Sequence, residues 1–169
     1  MTMTFYAQPY DISATGFYFE SAEEFDRKAA KARNEFGQPV EEFEIQFIDG
    51  EVIDADLAAA LGVHQGSVGA FIAATEEWDE HDKRVLIIAV RECGYAVDPA
   101  NADPNDFDID IYEGITMREL AEQFVDDGLF GDIPEHLANH IDYDAIARDL
   151  AMDYAETTIT GECLIYRCT

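Results

Sequence analysis

Thr116-Met-Arg-Glu-Leu-Ala-Glu-Gln-Phe-Val-Asp-Asp-Gly128 carries both ends of a helix in its own residues. Thr116 followed three residues later by Glu119 is the capping-box pattern that opens a helix, and Gly128 is the residue type that closes one. Between them Met117, Leu120, Ala121 and Phe124 recur at helical spacing and predict a buried face. Glu119, Glu122 and Asp126 fall on the opposite side. An amphipathic helix must bury its stripe against something, and the flanking sequence offers partners on both sides.

Upstream, Asp106-Phe-Asp-Ile-Asp-Ile-Tyr112 alternates acidic with apolar residues. It predicts a strand over 107–112 with Asp106, Asp108 and Asp110 on one face, spaced about 6.6 Å apart. Downstream, Pro134 opens a short helix. A further helix is expected over 142–153, with Tyr143, Ile146, Ala147, Leu150 and Tyr154 as its stripe and Asp142, Asp149 and Asp153 aligned beside it. Residues 157–168 read as a hairpin turning near Gly161.

The N-terminal stretch reads β-β-α-β. Short aromatic strands are expected over 3–7 and 16–20. A helix follows, with a capping box at Ser21 and Glu24 and a buried face of Phe25, Ala29, Ala32 and Phe36. Phe43-Glu-Ile-Gln-Phe47 alternates as a strand. The middle predicts helices over 56–61, 67–78 and 81–94, and Asp98-Pro-Ala-Asn-Ala-Asp-Pro-Asn105 is a turn-rich linker. The expected organisation is α+β in three small domains: a ββαβ domain over 1–53, a helical domain over 54–98, and a mixed domain over 99–169.

Charge is the strongest compositional signal. The 169 residues hold 37 Asp plus Glu against 10 Lys plus Arg, a formal net charge of -27. Soluble domains of this size carry a magnitude of roughly 2 to 8. Self-repulsion on this scale opposes compaction, so a functional return is expected. The sign excludes nucleic acid and anionic membrane as partners, because both require a basic footprint. Between Asp98 and Glu162 there are 18 acids and two bases, Arg118 and Arg148. Duplex DNA carries about one charge per 1.7 Å of axis, so 27 charges match roughly 46 Å of duplex. An acidic, lysine-poor chain is also what adaptation to high salt produces. The composition therefore leaves two readings open: a DNA-like surface, or a salt-adapted domain that binds a basic protein or cations.

A resemblance narrows the choice. Residues 116–131 and 133–150, with Ile141-Asp-Tyr-Asp-Ala-Ile-Ala-Arg-Asp-Leu150 at their centre, resemble the ArdA antirestriction family. Ile141, Asp142, Tyr143, Asp144, Arg148, Asp149 and Leu150 look like that family's antirestriction motif. The chain departs at His140 and Ala147, where the family commonly has Tyr and Gly. Glu44-Ile-Gln-Phe-Ile-Asp-Gly-Glu51 resembles the family's early strand, and Tyr166-Arg167 its terminal strand. The resemblance implies an elongated, three-domain homodimer that copies the shape and charge of B-form DNA. It also implies a partner, the methyltransferase core of type I restriction-modification enzymes, and carriage on a mobile genetic element. The implied DNA-mimic carboxylates are Asp98, Asp103, Asp106, Asp108, Asp110, Glu113, Glu119, Glu122, Asp126, Asp127, Asp132, Glu135, Asp142, Asp144, Asp149 and Asp153.

Catalysis finds little support. His136 and His140 stand one helical turn apart but lack the Glu of a zinc-protease motif. In Asp106-Phe-Asp-Ile-Asp-Ile a calcium loop would need Gly where Ile111 stands and Glu where Met117 stands. Gly62-Val-His-Gln-Gly66 reads as a turn. No metal, cofactor or enzymatic activity is expected. Cys93, Cys163 and Cys168 are too few and too irregular for a disulfide framework and read as thiols. Met1-Thr-Met-Thr-Phe5 lacks the basic and apolar regions of a secretory signal, so a cytoplasmic location is expected.

Overall fold

Phe5, Phe19 and Phe71 come from three separate segments and meet ring to ring. Phe5 and Phe19 stack at 5.5 Å, and Phe71 meets Phe5 edge-on at 6.2 Å. The computed structural model describes residues 2–169. It forms two compact units, Met1–Phe107 and Asp108–Thr169. Both are mixed α+β, each with a three-stranded antiparallel sheet. Residues 1–53 and 54–98 fall within the first unit.

In that unit the strands are β1 (Thr4–Pro9), β2 (Phe17–Phe19) and β3 (Phe43–Asp49), in the order β2-β1-β3. Along β1 burial alternates strictly, so Phe5 and Ala7 enter the core and Thr4 and Tyr6 do not. The helices are α1 (Ala22–Ala29), α2 (Val52–Leu61), α3 (Val68–Thr75) and α4 (Glu80–Arg91). Helix α2 closes on Gly62 in the left-handed conformation, as its sequence predicts. Helix α4 buries seven consecutive residues, Lys83 to Ala89, two of them charged. The Lys83 ammonium meets the Asp54 carboxylate of α2 at 2.7 Å, with both side chains almost wholly buried.

Two local expectations need correction. Helix α1 stops at Ala29 instead of running to Phe36, which is 75% exposed. Asn34 ends any continuation. Its side-chain oxygen accepts from the backbone N–H of Phe36 and of Gln38, and its amide donates to Asp11. The Ser21 capping box is half made: Ser21 accepts from Glu24 N–H, but the Glu24 carboxylate takes the N–H of Glu20. The reading as a thiol holds for Cys163, which is free and exposed.

The second unit comprises β4 (Ile109–Glu113), α5 (Met117–Asp126), a 3-10 turn over Glu135–His140, α6 (Tyr143–Leu150), β5 (Ala155–Ile159) and β6 (Glu162–Cys168). Its sheet order is β4-β6-β5. The expected hairpin is β5-β6, joined by Thr160 and Gly161. Both have positive φ, as a two-residue turn matched to strand twist requires. Helices α5 and α6 pack together. Leu120, Phe124, Tyr154 and Ile165 form the core, with Tyr112, Ile115, Met117 and Leu150 against it. Tyr112, Phe124 and Tyr154 make a triangle of edge-on rings 5.8 to 6.0 Å apart.

Candidate functional site

Asp98, Asp103 and Asp106 belong to the first unit, and all three are exposed. Asp103 opens the 3-10 turn Pro104–Asp106 by accepting from Asn105 N–H. That bond, with a second from the Asn105 side chain, holds its carboxyl below the ordinary value. This turn corrects the expected row of three aspartates. Asp106 lies in the turn, Asp108 precedes the strand, and of the three only Asp110 is within β4. The alternation is real, but Asp103-Pro-Asn is a stronger local instruction, pre-set for a turn by the proline ring and the Asp side chain.

In the second unit fifteen acids stand against three arginines, Arg118, Arg148 and Arg167. Asp108, Glu113, Glu119, Asp126, Asp127, Asp132, Glu135, Asp142, Asp144, Asp149 and Asp153 are exposed, while Asp110 and Glu122 are half-buried. The half-buried pair are ion-paired. Arg167 reaches Asp110 at 2.6 Å with its guanidinium 5.1 Å from the Tyr154 ring centre. Arg118 reaches Glu122 at 3.1 Å and Asp144 at 2.7 Å. Arg148 is exposed, Tyr143 and Leu150 are half-buried, and Ile141 caps the end of the 3-10 turn.

Some acids have a local structural duty. Asp142 caps α6 by accepting from Ala145 N–H at 3.0 Å. Glu119 completes a full capping box with Thr116 at the start of α5. Asp153 lies beyond the end of α6 instead of aligned on it, because the helix stops at Leu150. Others oppose the fold. Asp126 and Asp127 sit at the C-terminus of α5, with no basic residue in its last turn, and Asp149 lies near the C-terminus of α6. Carboxylates there face the negative end of the helix dipole, which is destabilising.

Glu119 gives a pH prediction. The Thr116 backbone N–H, then its hydroxyl, hold the Glu119 carboxyl below its ordinary value of 4.5. A depressed folded-state value contributes stability that is fully present above about pH 4.5 and is lost as pH falls through the folded value. Thr116→Ala removes the hydroxyl and keeps the N–H, so it should lower the melting temperature at neutral pH and flatten its decline in acid only in part. An unchanged acid slope in thermal melts would contradict this role.

His136 and His140 are both exposed, and among the described residues no group of three or more His, Cys, Asp or Glu is placed to hold a metal ion. The Gly62–Gly66 segment is a turn: His64 C=O accepts from Ser67 N–H, and Gln65 accepts from Phe43 N–H. Among the described residues no helix is long and apolar enough to cross a membrane. Sequence reasoning missed Arg167 as an organiser of Asp110, and Arg118 as the link between Glu122 and Asp144. Its one available signal was the rarity of bases in an acidic tract.

Comparison with known proteins agrees with the family resemblance. The profile of the family described as antirestriction protein (ArdA) matches residues 19–163, spanning both units. No curated protein matches the chain. Proteins of this family are non-enzymatic inhibitors. With most of its length matched, the chain belongs to the ArdA antirestriction protein family.

Proposed function

We propose that this protein inhibits type I restriction-modification enzymes by mimicking B-form DNA, placing its carboxylates where phosphates would otherwise lie in the groove of the methyltransferase core. In this reading it acts in the cytoplasm as a homodimer. The observation that carries it is the position of Asp126, Asp127 and Asp149: exposed, and at helix ends where negative charge costs stability. Acids kept against the interest of the fold point to a use outside it. The net charge of the second unit, -12 from fifteen acids and three arginines, corresponds to about 20 Å of duplex.

Salt dependence tests the reading against salt adaptation. A mimic should be fully folded in dilute buffer, and its affinity for the enzyme should fall steeply as salt screens many charge pairs. A chain that folds only in molar salt, or an affinity flat from low to high salt, would refute it.

A further inference from the structure

We infer that Arg118 is a positioning residue of the acidic surface: its guanidinium locks one carboxylate from each of α5 and α6 into a fixed relation. Nε donates to Glu122 Oε1 at 3.1 Å and Nη1 to Asp144 Oδ1 at 2.7 Å. The guanidinium carbon lies 6.0 Å from the centre of the Tyr143 ring, within the reach of a cation–π contact. Asp144 and Tyr143 lie in the stretch that resembles the antirestriction motif, and Arg118 lies 26 residues before Asp144. One planar, multi-donor group is needed here, because an ammonium is a point charge without the fork that serves two carboxylates and an aromatic face together.

The inference rests on the mimicry reading and turns on a conflict of sign. By charge counting, a cation on a surface that must look like DNA is a defect. An exposed ion pair also contributes little to stability, so the fold gives weak reason to keep it. Carboxylates on flexible stems must be ordered when a partner binds, which subtracts from affinity. Arg118 orders two of them in advance, at the cost of one unit of charge.

The two accounts predict opposite outcomes for Arg118→Gln, measured as the ability of the full-length protein to displace duplex DNA from a purified type I methyltransferase core. Charge counting predicts tighter binding. Positioning predicts binding about three- to tenfold weaker. It also predicts that Asp144→Asn costs less in the Arg118→Gln background than in the wild type. Arg118→Lys should fall between Gln and wild type, although it keeps the charge. Circular dichroism melts establish that each variant is folded at the assay temperature. If Arg118→Gln is not, Arg118→Lys carries the comparison, since charge counting then demands wild-type affinity. Equal or tighter binding by these variants overturns the role of Arg118 alone. A wild-type protein that displaces no DNA overturns the mimicry reading and this inference with it.

Discussion

Converting Asp126, Asp127, Asp132, Glu135, Asp149 and Asp153 together to their amides should weaken binding to the restriction enzyme by about two orders of magnitude. All six are exposed. None serves as an N-terminal helix cap, and three sit at the unfavourable ends of α5 and α6. The sixfold variant should therefore melt at or slightly above the wild-type temperature. A single change such as Asp149→Asn should cost no more than about fivefold, because one exposed charge pair contributes little. Affinity should erode gradually as the substitutions accumulate. Titration calorimetry and thermal melts on the same series check both halves. Loss of all binding from one amide would indicate a localised site instead of a distributed surface.

The largest effect on stability should come from Lys83→Met in the first unit, at about 3–5 kcal/mol. Lys83 is 7% exposed and Asp54 4%, so removing the ammonium strands a buried carboxylate. The pair borders a pocket of about 450 Å³ whose other charged lining residues are Glu20, Glu51 and Glu76. Replacing both partners, as Lys83→Met with Asp54→Leu, should recover most of the loss, since two apolar groups leave nothing unpaired. Urea unfolding of the single and double variants tests this. A single variant as stable as the wild type would mean that the pair is not buried in solution.

These two predictions differ in how far the sequence alone could have supported them. Local instructions were readable: the Thr116–Glu119 capping box, the left-handed Gly62, the turn at Gly161 and the stripe of Leu120 and Phe124 all appear where their residue types demand. Each is settled within a few residues by capping or backbone preference. Where the sequence reading overran, a local feature set the limit: α1 ends at Ala29, short of Phe36, and Asp106 falls in the turn that Asp103 opens instead of beside the strand. Long-range pairs were not readable. Asp54 meets Lys83 and Asp110 meets Arg167 because the folded chain brings distant segments together, and periodicity holds no record of that.

The same distinction applies to the acidic surface. Its acidity follows from counting residues, and the family from the resemblance centred on Ile141–Leu150. Which carboxylates are tied down and which remain available depends on three arginines. Arg118 and Arg167 reach named acids, Arg118 at the exposed surface and Arg167 half-buried, while Arg148 is exposed.

The central claim is that this protein and DNA occupy one place on the enzyme. It is tested most directly by titrating the full-length protein into a labelled duplex bound to a purified type I methyltransferase core. The account predicts complete displacement of the duplex, with a midpoint that rises in proportion to the DNA concentration. A ternary complex in which protein and duplex remain bound together would contradict it.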